Sequence, residues 1–294
     1  MARTSISIAA LLALLAGCGD EAYRESVDSW HAGRIERLQA EDGWLTLVGL
    51  HGLTQGANTI GTAEDRDVVL NASAPAHVGT LELSADGHRF VPAEGSGVTV
   101  DGESVEGPVV VTADDQGEPT MLRVGAVSFY VVARGDRNFL RVKDGDSATR
   151  RDFQGVERFP VDPAWRVTAR LETEGRPATV PVANVLGQVE EQASPGLLIF
   201  EVDGRELSLV PVGEPGQSMF IVFADATSGF ETYGGGRFLS AAAPDAEGRV
   251  VLDFNRATNP PCCFTPYATC PMPSPENRLP VRVPAGEKVW GEHH

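Results

Sequence analysis

From Trp44 onward the chain is written in short apolar runs of three to eight residues, separated by Gly, Asp, Asn and Pro. No other feature restricts the fold so strongly. A run this short and alternating has the period of a strand and is too brief for a helix with a buried face. The runs read as strands are Leu45–Leu47, Val68–Leu70, Thr80–Leu83, His88–Pro92, Val98–Val100, Val109–Val111, Met121–Val124, Val127–Ala133 and Leu140–Val142. After Asp144-Gly145-Asp146, which reads as a linker, come Trp165–Leu171, Thr179–Val182, Leu197–Val202, Glu206–Pro211, Phe220–Ala224, Gly236–Leu239 and Val250–Phe254. Asp101-Gly102 and Asp203-Gly204 carry hairpin-turn chemistry. Strands repeating every ten residues or so imply an all-β sandwich architecture rather than alternating α and β units.

The region before Trp44 is different. Arg3 precedes an apolar run, Ile6–Leu15, which has the length of a secretory signal and is too short to span a bilayer. It ends Leu15-Ala16-Gly17-Cys18 and resembles a bacterial lipoprotein signal. The expectation is therefore a signal peptide at residues 1–17 and Cys18 as the lipidated first residue of the mature chain. The protein would sit in the bacterial cell envelope, membrane-anchored by lipid, with its body in the periplasm or outside the cell. Gly19 after the cysteine favours the outer membrane where the host has one. Residues 18–43 read as a tether and one helix, with Tyr23, Val27, Trp30, Ile35 and Leu38 spaced for one face and Asp42-Gly43 as the stop.

Charge excludes a function class. The chain of 294 residues carries a formal net charge of −17, and Lys143 and Lys288 are its lysines, every other basic residue being arginine. Such a chain lacks the basic footprint of a nucleic-acid binder.

The stretch Val251–Lys288 is dense in proline and holds three of the four cysteines. Its length without strand or helix period marks an ordered, functional loop. Cys262 or Cys263 lies close enough to Cys270 for a small disulfide ring, read here as Cys262–Cys270 and worth about 2.5 kcal/mol on loop-entropy grounds. A catalytic thiol finds no local histidine partner, and a zinc site lacks paired Cys-x-x-Cys spacing. The sequence implies no cofactor or metal.

The polar residues of this half are Tyr233, Arg237, Asp253, Asn255, Arg256, Tyr267, Glu276, Asn277 and Arg278. Arginine forks grip carboxylate or phosphate in two places at once, so these residues form a candidate site for an anionic small ligand or an envelope partner. The same residues would serve equally as an internal network that pins a proline-rich loop. Asp253 and Glu276 also provide a carboxylate pair for an envelope hydrolase, although nothing in their spacing sets their separation. Gly234-Gly235-Gly236-Arg237 reads as a turn and is no phosphate loop of the Walker type.

Two resemblances extend this reading. Gly56-Ala57-Asn58-Thr59-Ile60-Gly61, Asp67-Val68-Val69-Leu70, Ala76-His77-Val78 and Val100-Asp101-Gly102 follow the order of forkhead-associated domains. That likeness implies a forkhead-associated-like β-sandwich over residues 44–144. Thr62 and Ala74 stand where that family places its phosphate-gripping arginine and serine, so phosphothreonine binding is not implied.

The second half, residues 150–294, contains Glu231-Thr232-Tyr233-Gly234-Gly235-Gly236-Arg237-Phe238-Leu239, Asp253-Phe254-Asn255-Arg256-Ala257, Asn259-Pro260-Pro261-Cys262, Phe264-Thr265-Pro266-Tyr267-Ala268-Thr269-Cys270-Pro271 and Pro275-Glu276-Asn277-Arg278-Leu279-Pro280. It resembles an uncharacterised bacterial family, domain of unknown function (DUF) 1684, departing from it at Cys263; upstream, Gly43-Trp44-Leu45 with Val48-Gly49-Leu50 fits too, so the likeness covers most of the mature chain. The resemblance implies a second antiparallel β unit with a long C-terminal loop and no established activity. A non-catalytic binding or scaffolding role is the leading expectation; a hydrolase and a purely structural interaction protein are the alternatives.

Overall fold

The computed structural model describes residues 8–291, with side chains from Gly19 onward. The signal peptide at 1–17 and Cys18 lie outside the residues whose side chains are described. Among the described residues no helix is long and apolar enough to cross a membrane. The chain is all-β apart from one long N-terminal helix, α1 (Ile8–Leu38), and the single turn α2 (Ala148–Arg151). It forms two compact units: residues 37–154 with 264–270, and residues up to 36 with 155–263 and 271 onward.

The unit built on residues 37–154 is a sandwich. Its strands are β1 (Leu47–Gly52), β2 (Gly56–Gly61), β3 (Val68–Val69), β4 (Gly79–Ser84), β5 (Gly87–Pro92), β6 (Thr99–Val100), β7 (Glu103–Ser104), β8 (Val109–Val111), β9 (Leu122–Val124), β10 (Val127–Arg134) and β11 (Arg137–Asp144). They make a six-stranded sheet, β1-β11-β10-β9-β6-β7, and a five-stranded sheet, β3-β2-β4-β5-β8. Alternation decides the layers: Leu122, Phe129, Val131, Leu140 and Val142 from one sheet meet Ile60, Leu81, Leu83 and Phe90 from the other in one core. Phe90 and Phe129 pack edge to face with centroids 5.8 Å apart. Leu45–Leu47, expected as a strand, is a 3-10 turn over Trp44–Thr46 followed by β1, because the pairing with β11 begins only at Leu47. Where a forkhead-associated domain would grip phosphate, the Thr62 hydroxyl donates to the Ala74 carbonyl at 3.4 Å.

The second unit holds β12 (Arg166–Glu172), β13 (Thr179–Ala183), β14 (Val189–Ala193), β15 (Leu197–Val202), β16 (Arg205–Leu209), β17 (Met219–Phe223), β18 (Arg237–Ala241) and β19 (Arg249–Asp253). They form a sheet β16-β15-β12-β19 and two separate hairpins, β13-β14 and β17-β18. The β15-β16 turn uses Asp203 and Gly204, both at positive φ (51° and 73°), as a two-residue hairpin of this hand requires. Phe254 is the hub of the core, with ring contacts to Trp165, Phe200 and Phe223 at 6.2, 5.8 and 5.4 Å. At Gly236, φ is +89° and a Cβ would stand 2.7 Å from the Phe223 carbonyl, so the turn into β18 closes only around glycine.

Helix α1 packs on this second unit through its regular apolar face, with Val27 fully buried. Its residues up to 36 belong to this unit, and it ends at Leu38, four residues before the expected stop. Tyr23 donates to Asp253 at 2.6 Å, Arg24 to the Val161 carbonyl at 2.5 Å and Arg34 to the Asn259 carbonyl at 3.0 Å. Arg158 reaches back to Asp28. The stretch Val251–Lys288, expected as one loop, is divided: Phe264–Cys270 belongs to the sandwich unit. There the Thr265 hydroxyl donates to the Leu47 carbonyl at 3.1 Å, and Phe264 meets Phe153 edge-on.

Candidate functional site

An open cleft of about 740 Å³ lies in the second unit, within the size range of small-ligand sites. Its lining includes Val180, Val182 and Gln192 from the β13-β14 hairpin, together with Leu197, Val212, Phe220 and Val222. Residues Pro271–Asn277 also line it. The hairpin is held to them by the Met272 amide, which donates to the Ala183 carbonyl at 2.7 Å. Ser194 donates to the Pro211 carbonyl at 2.7 Å and fixes the hairpin's base. Val180, Val182, Leu197, Phe220 and Met272 are only half-buried, so their apolar faces line open space. Arg176 and Glu276 bring the lining's charges, one of each sign, and Arg176 is itself engaged with Glu172 at 2.9 Å.

The residues expected from the sequence do not converge on one place. Glu276 and Asn277 line this cleft. Asn277 is buried and its amide is a staple: it accepts from the Val210 amide at 2.7 Å and donates to the Val210 and Val222 carbonyls at 2.9 Å each. Arg278 is exposed beside them.

Arg237 belongs to the interior. It is 1% exposed and donates to the Ala285 and Val283 carbonyls and to Asp225 at 3.3 Å. Burial draws its pKa down to about 10, with Asp225 and Glu287 pulling the other way. Asp225 in turn accepts from Thr227, Ser228 and the Val283 amide. This network shapes the loop from Asp225 to Tyr233. Tyr233 donates to the Cys262 carbonyl at 3.2 Å.

Asp253, Asn255 and Arg256 form the seat for α1. Asn255 donates to the Tyr23 hydroxyl at 3.0 Å and bridges both backbone groups of Asp162. Arg256 pairs with Asp253 at 3.2 Å and lies over the Trp30 ring. Burial and the Asp253 carboxylate push the Tyr23 phenol well above its ordinary range. Asp253 thus serves the helix and Glu276 the cleft. Tyr267 is half-buried in the sandwich unit, apart from the other eight by unit membership.

Glu287 was not among the expected site residues, yet it is 1% exposed, 3.3 Å from Arg34 and 4.0 Å from His31. Burial pushes its carboxyl upward, while burial and then Arg158 and Arg34 push His31 downward. Burial pushes the Cys263 thiol up to about 12, the opposite of what a nucleophile needs.

The cleft wall itself was hard to see in the sequence. Val189–Ala193 reads Val-Glu-Glu-Gln-Ala, with no apolar alternation, and is a strand only because β13 pairs with it. The half-buried valines of β13 were the available signal.

A family profile described as "protein of unknown function (DUF1684)" matches residues 151–288. No curated protein matches the chain. Among solved structures, an uncharacterized protein of Haloarcula marismortui, determined by solution NMR, is 30% identical over 49% of this chain and 82% of that one, with a TM-score of 0.41. Mycobacterium tuberculosis EmbR in complex with a low affinity phosphopeptide is 16% identical over 41% of this chain and 31% of that one, with a TM-score of 0.22.

Proposed function

We propose that this chain, whose residues 151–288 match the profile of a family of unknown function (DUF1684), is a non-catalytic binding module whose ligand lies in the β13-β14 cleft. The observation that carries this reading is the cleft's lining of half-buried apolar side chains around about 740 Å³. Leaving that surface wet costs free energy that an apolar ligand recovers. The ligand class is an amphiphile: an apolar body against Val180, Val182, Phe220 and Met272, with an anionic end at Arg176. This keeps the anionic small ligand expected from the sequence and moves it from Arg237, Arg256 and Arg278 to the cleft.

The proposal includes the setting. Cys18 is acylated after removal of residues 1–17, and the body is held in the cell envelope by its lipid anchor. Pairing of Cys262 with Cys270 belongs to the same reading, and peptide mapping under non-reducing conditions tests it: three alkylatable cysteines without reductant would end it. Mass spectrometry of the protein from membranes tests the anchor.

The binding test uses cis-parinaric acid, a fluorescent fatty acid. Saturable enhancement is expected with the wild-type chain and a loss of about tenfold in affinity with Val182→Lys, which puts a charge into the apolar lining. Equal binding by both proteins, or none by the wild type, refutes the cleft as the ligand site.

A further inference from the structure

The outer face of the six-stranded sheet gathers cations in an acidic protein. On β11, Arg141 and Lys143 point away from the core that Leu140 and Val142 enter. Register sets their neighbours: Lys143 lies opposite Ser128 on β10, Ser128 lies opposite Arg123 on β9, and Arg141 lies opposite Tyr130. Cross-strand neighbours on one face stand about 5 Å apart. Lys143 and Arg123 therefore flank Ser128 from both sides, with Arg141 one row behind.

The charges in this row are poorly compensated. Arg141 is 4% exposed, and no carboxylate lies within ion-pair distance of it among the described residues. Its fork donates to two neutral hydroxyls, Tyr130 at 3.3 Å and Thr269 at 3.1 Å, while its Nε is buried without an acceptor. The guanidinium lies 5.7 Å from the Trp44 ring centroid and 5.8 Å from that of Tyr130. Lys143 donates to the Asp42 carbonyl at 2.6 Å and lies near the same two rings. Burial lowers its pKa, and Arg141 and Arg123 push in the same direction; the Asp42 carboxylate is the acidic group acting against them. A half-buried ammonium beside a buried guanidinium is costly unless an anion joins them.

We propose that Lys143, Arg123 and Ser128, backed by Arg141, form an anion site for a phosphoryl group. Lysine supplies a point charge and the exposed Arg123 a fork; Ser128, 5% exposed, and Thr269, whose oxygen accepts from Arg141, have hydroxyl protons to donate. The site is separate from the cleft and does not depend on it. Two sources carry the same chemistry, a free phosphate compound and an anionic lipid headgroup, and the test separates them.

The test follows thermal unfolding of the full chain, first in non-ionic detergent with inorganic phosphate against equal ionic strength of chloride. It is then repeated in phosphatidylcholine vesicles with and without phosphatidylglycerol. The variants are Lys143→Met and Arg123→Gln; Arg123 is exposed, so its replacement leaves the fold intact. Phosphate is expected to raise the Tm of the wild type, and each variant to lose about tenfold in apparent affinity, the worth of one charge-assisted contact. A rise with phosphatidylglycerol alone, lost in the variants, supports the site with the headgroup as its source. No rise with either anion overturns the proposal, as does a rise that both variants retain in full.

Discussion

Arg237 and Arg141 are both buried arginines, and the chain treats them in opposite ways. Arg237 meets Asp225 and two backbone carbonyls, and Asp225 is itself held by Thr227, Ser228 and the Val283 amide. Arg141 meets two hydroxyls and two aromatic rings and, among the described residues, no carboxylate. A satisfied buried pair is architecture, because every hydrogen-bonding group has a fixed partner and nothing is left for a ligand. A cation short of counter-charge is where a protein has something left to bind. The sequence alone directs attention to Arg237, in a glycine-rich motif, and passes over Arg141, in the middle of a strand.

Removal of charge should separate the two most sharply. Asp225→Ala leaves Arg237 buried without its counter-ion and is expected to cost about 3–5 kcal/mol in urea unfolding. Next comes Asn277→Ala, which strips partners from the Val210 amide and from the Val210 and Val222 carbonyls; about 2–4 kcal/mol is expected. Arg141→Met keeps the apolar volume and removes an uncompensated charge, so a loss of no more than about 1 kcal/mol is expected in phosphate-free buffer. If Arg141→Met costs as much as Asp225→Ala, the contrast between the two arginines fails.

The smallest effect is a pH dependence at the α1 seat. The folded protein holds His31 below its ordinary pKa, so its contribution is fully present above about pH 6.5 and falls away as the pH drops below it. Glu287 has the opposite sign: its raised pKa favours the folded state most below about pH 4.3, and the benefit declines as the pH rises. His31→Gln should therefore flatten the fall in the urea midpoint between about pH 7 and pH 5.5. An unchanged slope would place the titrating group elsewhere.

Much of the fold was legible. The Leu197–Val202 strand, the Asp203-Gly204 turn and the inward alternation of β10 and β11 follow from a period of two and from turn chemistry, which act over a few residues. The same local reading fails at Val189–Ala193, whose strand exists only by pairing. It also joins Phe264–Cys270 to its sequence neighbours, although its packing partners are Leu47, Phe153 and Arg141.

The sequence by itself determined that this chain is all-β behind an N-terminal helix, and which residue types were available for ion pairing. Only the tertiary structure decided which arginine met a carboxylate. Strand register sets the cross-strand neighbours of Arg141, and chain return brings Asp225 and Val283 to Arg237. Ion pairing acts over a few ångströms in space, so a separation along the sequence does not reveal it. For the same reason the cleft is invisible in any one segment: its lining comes from residues 176–197, 210–222 and 271–277, and no stretch alone encloses a volume.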